Sequence, residues 1–414
     1  MSHWTKRLFL KTLGSFKSGS LEVVCPDRSY EFGSPGALPR ATVAVHDEEF
    51  FRRAVLGGDT GMAEAYMDGL WSSPDLTSVI RLGVRNLAAL ETSNSALSIG
   101  QRLLDVVGHK LRPNNLRGSR KNIEAHYDLS NDFFRLFLDE KMLYSSAVYL
   151  NAGDTLEQAQ IEKIDRLCRK LRLTPGDHVL EIGSGWGAFA EHAVNNYGVK
   201  ITSTTISKQQ YEHCAEVFRN LSGQAELLFE DYRKLTGQYD KIVSIEMFEA
   251  VGYEYYDEFF SACDRLLKPG GTMAMQTITI IEQKFEAYRK QVDFIQKYIF
   301  PGSELASVAG ILQSLGRSTK LSLYHAEDIG THYARTLAEW RKRFNESLDD
   351  ARKLGFDDRF LRMWDYYFAY CEGAFLERHI GDMQLVLAKN GTQQALYGEP
   401  WESNSIAHHS AARH

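Results

Sequence analysis

The run Val179-Leu180-Glu181-Ile182-Gly183-Ser184-Gly185-Trp186-Gly187 passes from an apolar strand into a glycine-rich turn, and helix-forming Ala188-Phe189-Ala190-Glu191 follows it. Glycines at such a junction let the backbone approach a ligand closely at a helix N-terminus. The spacing alone also fits a dinucleotide site, or tight packing of strand on helix and nothing more. Two features turn the reading away from a nicotinamide cofactor. Glu181 stands just before the turn, where a carboxylate suits the ammonium of a methionine moiety. The next strand ends in Thr204-Thr205-Ile206-Ser207-Lys208-Gln209-Gln210, which offers hydroxyl and amide groups and no acid for a ribose.

These residues need a sheet to position them. A helical stretch over 155–171 precedes an apolar strand at 178–182, and strand-like segments follow at 200–204, 239–245 and 271–278. Strands alternating with helices predict an α/β domain, a parallel sheet with helices on both faces. After Ile280 the pattern turns helical, over 285–298, 337–354 and 358–378. Upstream, strands at 21–24 and 41–45 with helices at 48–56 and 60–67 predict a small α+β domain. Residues 109–121 carry five basic side chains, no acid, and Pro113, two asparagines and Gly118, the composition of a linker or exposed loop. The expected domains are therefore 1–108, a linker at 109–121, a catalytic domain at 122–396 and a disordered tail at 397–414.

A length of 414 residues, 43% apolar and 25% charged, suits a large catalytic domain beside a smaller one. The formal charge of -6 argues against bulk nucleic-acid binding. Cys25, Cys168, Cys214, Cys263 and Cys371 are scattered, without metal-ligand spacing, and read as reduced thiols of a cytosolic protein. No apolar run approaches the roughly 18–20 residues that cross a bilayer, and Arg7 and Lys11 flank Leu8-Phe9-Leu10 too closely for a signal peptide's apolar core. Lys6, Arg7, Lys11 and Lys17, with Phe9, Leu13 and Phe16 at helical spacing, form a short basic amphipathic element. Such an element lies on an anionic membrane or packs on its own domain, and the sequence leaves both readings open.

Taken in order, these motifs resemble the cyclopropane fatty acid synthases and their mycolic acid relatives. The similar stretches are Ala125-His126-Tyr127-Asp128-Leu129-Ser130-Asn131-Asp132, Met142-Leu143-Tyr144-Ser145-Ser146-Ala147, and Glu181 through Gly187. They continue with Thr205 through Gln210, Glu230-Asp231-Tyr232-Arg233, Met247-Phe248-Glu249-Ala250-Val251-Gly252 and Lys297-Tyr298-Ile299-Phe300-Pro301-Gly302, and Ala63 through Gly69 resembles the small domain of the bacterial enzymes. The resemblance covers nearly the whole chain. It implies an S-adenosylmethionine-dependent methyltransferase with a Rossmann-like sheet and helical insertions. Tyr144, Ser145, Gly183, Gly185, Thr205, Gln210, Asp231 and Tyr232 would line the cofactor site, with Glu181 and Gly187 in the same turn. Hydroxyls would hold the carboxylate end, Asp231 would accept from the adenine amine, and Tyr232 would stack on the purine.

The implied reaction moves the sulfonium methyl to a cis double bond of a phospholipid acyl chain and leaves a carbocation beside the new methyl. Aromatic faces stabilise such a cation without capturing it. Tyr127, Phe248, Phe294 and Tyr298 are candidates, although plain core packing explains each of them as well. A base, in the family thought to be bound bicarbonate, then removes a methyl proton so that the ring closes. Glu249, the backbone near Ile278, and Tyr333 match positions that hold it. Ser146, Ala250 and Gln276 depart from the common bacterial pattern, which has Cys, His and His there; in Ala250 and Gln276 the sequence resembles plant synthases and some bacterial relatives. Ser146 and Gln276 still have donors for an oxyanion. The departures keep a second product class open: a lipid C-methyltransferase giving a methyl-branched or methylene chain. A non-catalytic relative would have no need of so complete a motif set, and the basic segments weigh against a small-molecule substrate. The expected partners are unsaturated phospholipids of an anionic membrane, reached from the cytoplasmic side, with a homodimer as the candidate assembly.

Overall fold

A computed structural model of the chain describes residues 2–94, 129–221 and 223–392. Tyr127, the basic segment 109–121 and the tail expected at 397–414 lie outside the described residues. The chain divides into two compact units, Met1–Leu138 with Ile280–Glu304 and Gly330–Gly381, and Asp139–Thr279 with Leu305–Ile329 and Asp382–His414. These units interleave along the chain, so each draws on segments of the continuous stretch 122–396.

In the first unit, strands β1 (Ser20–Val24), β2 (Ser29–Gly33), β3 (Arg40–Val45) and β4 (Trp71–Ser72) form a sheet in the order β2-β1-β3-β4, with β1 and β3 parallel. The two helices expected at 48–56 and 60–67 form one element, Glu49–Met67, broken at Gly58 (φ 60°, ψ -136°), a conformation open to glycine. The late helices Gly330–Glu346 and Asp358–Leu376 belong to this unit because their polar groups are tied into it. Arg341 Nε donates to Asp365 Oδ1 at 2.7 Å, Tyr66 Oη to Asp365 Oδ2 at 2.6 Å, and Thr77 Oγ1 to Glu372 Oε2 at 2.8 Å. The N-terminal helix Ser2–Leu13 packs Phe9 edge-on against Phe50 and Phe51 and buries Leu13, while Trp4, Arg7 and Lys11 stay exposed.

The second unit is the α/β layer. Strands β5 (His178–Ile182), β6 (Lys200–Thr204), β7 (Ala225–Leu228), β8 (Tyr239–Ile245), β9 (Leu267–Ile280), β10 (Leu321–Asp328) and β11 (Ile380–Lys389) stand in the order β10-β11-β9-β8-β5-β6-β7. β5, β6 and β8 lie where the alternation predicts and β9 contains the segment expected at 271–278, whereas β7 is not among the expected strands. The pattern after Ile280, read as helical throughout, also contains β10 and β11, which pair antiparallel. Alternate residues of β5 serve opposite faces, Val179 one apolar cluster and Leu180 and Ile182 the other, so both faces are covered by helices. Helix Leu156–Leu171 starts at a reciprocal capping box between Thr155 and Gln158, and Ser207 caps Lys208–Arg219. Strand order runs outward in both directions from β5, which places a ligand crevice beyond its carboxyl end.

Candidate active site

At that carboxyl end the chain enters the glycine turn. Gly183 and Ser184 both donate backbone N–H to Thr204 O at 3.0 Å, which ties the turn to the end of β6. Gly183 has φ +92°, and a Cβ there would stand 3.0 Å from Met247 Cγ. Gly185 has φ +50° with nothing within 4 Å of the place a Cβ would take, an open cradle over the backbone. Gly187 (φ +93°) leads into helix Ala188–Tyr197. Beside the turn, Thr205 Oγ1 donates to Gln210 Oε1 at 3.0 Å, which aims the NH2 end of the amide elsewhere. The donor set and the cradle fit S-adenosylmethionine.

Three expected ligand groups are differently engaged. Alternation along β5 puts Glu181 on the Val179 face, where its carboxyl accepts from Ser203 Oγ at 2.5 Å. Burial pushes it up to about 8, and an ammonium beside it would favour the ionised form. Asp231 is held by the Arg233 guanidinium (Nε 2.8 Å, Nη2 2.7 Å) and caps the short turn Tyr232–Lys234. The Tyr232 ring is buried edge-on to Phe259 at 5.3 Å, with the Arg233 guanidinium 5.5 Å from its centroid.

Tyr144, Ser145 and Ser146 stand on a segment gripped from helix Leu156–Leu171. Gln160 Nε2 donates to Leu143 O at 3.2 Å and Ser145 O at 2.9 Å, and Lys163 Nζ donates to Ser145 Oγ at 2.5 Å. Lys163 is 0% exposed, and burial lowers its pKa to about 8 against the pull of Glu246, Asp139, Asp382 and Glu181. Ser146 N donates to Glu246 Oε1 at 2.8 Å, while Ser146 Oγ donates to Ala147 O at 3.1 Å.

Glu249 is set by β9. Its Oε1 accepts from Ile278 N at 2.5 Å and Thr277 Oγ1 at 3.0 Å, and its Oε2 is buried with no hydrogen-bond partner. Burial first, then the charge of Glu246, push this carboxyl up to about 8. A buried, unpartnered carboxyl oxygen suits a small ligand that carries an O–H, and bicarbonate fits it. Gln276, expected as an oxyanion donor, is occupied: Nε2 donates to Glu246 Oε1 (2.7 Å) and Asp382 Oδ2 (3.0 Å), and Oε1 accepts from Gln384 Nε2 (3.0 Å). Phe248 is core, packed on Tyr256, Phe259 and Phe260. Tyr333, Phe294 and Tyr298 belong to the first unit. Tyr333 stacks on Phe375 at 4.6 Å, Phe294 is buried against Tyr366, and Tyr298 Oη donates to Glu64 Oε1 at 2.6 Å.

A seven-stranded sheet with its glycine turn at the order reversal defines an S-adenosylmethionine-dependent methyltransferase. A family model described as mycolic acid cyclopropane synthetase matches residues 114–385, and the chain belongs to that family. It is 37% identical over 377 residues to the tuberculostearic acid methyltransferase of Mycobacterium tuberculosis, covering 86% of this chain and 85% of that protein. It is 36% identical over 361 residues to the cyclopropane-fatty-acyl-phospholipid synthase of Escherichia coli K12, covering 86% and 89%. Among solved structures, mycolic acid cyclopropane synthase CmaA1 complexed with SAH and CTAB superposes with a TM-score of 0.61 at 34% identity, over 65% of this chain and 98% of that one.

Proposed function

We propose that this enzyme methylates the cis double bond of an unsaturated phospholipid acyl chain and closes a cyclopropane ring. The observation that carries the reading is Glu249: Oε1 fixed by Ile278 N and Thr277 Oγ1, Oε2 buried and unpartnered. S-adenosylmethionine supplies an electrophilic methyl, and bicarbonate held at Glu249 would supply the oxygen base that meets the new methyl. The glycine turn admits the cofactor, and the gripped segment 143–146 holds its hydroxyl contacts still; orientation of this kind is worth several kcal/mol of barrier. Glu249 Oε2 is the atom placed to take up a proton, and an affinity near 8 matches that task to neutral pH. Turnover that needs ionised Glu249 rises with pH through about 8. A kcat that stays flat from pH 6 to 9 would remove Glu249 from proton handling.

The occupied Gln276 amide favours a second reading. With that donor committed to Glu246 and Asp382, the base is held by fewer groups and the cation has time to lose a different proton. The product is then methyl-branched or methylene. Ring and alkene have equal mass, so mild hydrogenation of the labelled lipid decides between them. Product that resists hydrogen supports the cyclopropane, and product that takes it up as readily as an olefin establishes the alternative.

The substrate's surroundings are proposed as an anionic bilayer met from the cytoplasmic side. Among the described residues no helix is long and apolar enough to cross a membrane. Trp4, Arg7 and Lys11 share one exposed face of the N-terminal helix, opposite packed Phe9 and Leu13. Each basic residue near such a surface contributes about 1 kcal/mol, screened by salt. Sedimentation with phosphatidylglycerol vesicles is expected to fall steeply between 50 mM and 500 mM salt (about a three-fold change of Debye length). Binding indifferent to salt and to lipid charge counts against this surface.

A further inference from the structure

Glu246 is the residue after β8, and it holds φ +47°, a left-handed backbone that non-glycine residues adopt only where the surroundings hold them there. Its surroundings over-determine it. Glu246 N donates to Gln276 O at 2.8 Å, and Oε1 accepts from both Ser146 N (2.8 Å) and Gln276 Nε2 (2.7 Å). Asp382, from β11 and 0% exposed, accepts the other Gln276 amide proton on Oδ2, while its Oδ1 has no donor in reach. The Glu246 and Asp382 side chains are hydrogen-bonded to one another, and two carboxyls so placed hold one proton between them.

We propose that Glu246 and Asp382 form a one-proton carboxyl pair that acts as a positioning element of methyl transfer, clamping the Ser146 backbone and the Gln276 amide and presenting its single negative charge to Glu249. The inference rests on the methyltransferase reading and deepens it. Ser146 follows Tyr144 and Ser145, so the clamp sets where the cofactor hydroxyls stand. Burial and the charges of Glu246 and Glu249 push Asp382 far above the usual carboxylate range, in keeping with the shared proton. Besides Glu249, the groups that face the pair are buried Lys163 on helix Leu156–Leu171, itself faced by Asp139 and Glu181, and Asp328, whose Oδ1 accepts from Asp382 N at 3.4 Å. The pair's negative charge raises the proton affinity of Glu249, so removing it moves the rising limb of kcat towards lower pH.

The test uses full-length enzyme, methyl-labelled cofactor and vesicles of unsaturated phosphatidylethanolamine and phosphatidylglycerol, with label in total lipid as the readout. Glu246→Gln is expected to shift the rising limb down by roughly one pH unit, the scale of a like charge at contact. Glu246→Ala, which also frees Ser146 N, is expected to raise the cofactor KM about five-fold or more. Asp382→Asn keeps a donor towards Glu246 and should retain at least about a third of turnover, whereas Asp382→Leu should lose about ten-fold. Calorimetric cofactor affinity, with thermal melting to verify folding, reads the clamp without turnover. Coincident wild-type and Glu246→Gln limbs, or unchanged cofactor affinity in folded Glu246→Ala, overturn the proposal. Label reaching no lipid in the wild type would instead overturn the lipid reading, and the calorimetric arm would still decide the clamp.

Discussion

Glu249→Gln is expected to lower turnover about 100-fold or more while cofactor affinity changes by no more than a few-fold. Positioned proton transfer contributes roughly 10²–10⁴ in rate, and the amide cannot take up a proton in the way proposed for Glu249 Oε2. The substitution is close to isosteric, so Ile278 N and Thr277 Oγ1 keep an acceptor in the place of Oε1. The glycine turn follows β5 and is tied to Thr204 O, not to this carboxyl, so ground-state binding is expected to be spared. Single-turnover rates with labelled cofactor, beside calorimetric affinities, separate the two quantities. An enzyme with Gln at 249 and wild-type turnover would mean that the proton goes elsewhere. Bicarbonate added to dialysed wild-type enzyme should raise its rate and leave the variant unmoved.

Gly185→Val should abolish measurable cofactor binding, with an affinity loss of about 100-fold or more, and leave a folded protein. At φ +50° a β-branched side chain is strained by about 1–3 kcal/mol. No protein atom lies within 4 Å of the new Cβ, so the core is not overpacked, and the added methyls occupy the cradle that would receive the cofactor. Gly183→Val differs: its Cβ meets Met247 at 3.0 Å, so repacking accompanies any loss of binding. Calorimetry and thermal melting on both variants distinguish ligand exclusion from misfolding. Undiminished affinity in Gly185→Val would move the cofactor away from this turn.

Most of the sheet was legible because its strands are short, apolar and bounded by turns: 178–182, 200–204 and 239–245 coincide with β5, β6 and β8. β10 and β11 were not legible. They lie among long amphipathic helices, and β10 alternates as an edge strand does, so local pattern there carries little weight. The glycine turn, Thr205 and Gln210 could be read from spacing, and Glu249, Gln276 and Ser146 only through resemblance. Glu246, Asp382, Gln160 and Lys163 were missed. For two of them a signal existed, since Gln160 and Lys163 fall on the apolar stripe of helix Leu156–Leu171, among Leu156, Ala159, Ile164 and Leu167. A charged side chain at a core-facing helical position needs a buried partner. Asp382 reaches Glu246 across 136 positions of sequence, the difference of their numbers, and periodicity has no access to such a pairing.

β11 lies between β10 and β9, yet it is the last strand of the sheet in the chain. During synthesis, β5 through β9 leave the ribosome with β9 as a bare edge, and β10 emerges with no neighbour to join. The gap stays open until Ile380–Lys389 arrives, after the helices of the other unit have been made. An exposed strand edge recruits other chains, so the nascent polypeptide passes a long interval in which holding factors have something to hold. The strand that ends the vulnerability also delivers Asp382, so edge closure and delivery of the buried acid coincide in the maturation of one molecule.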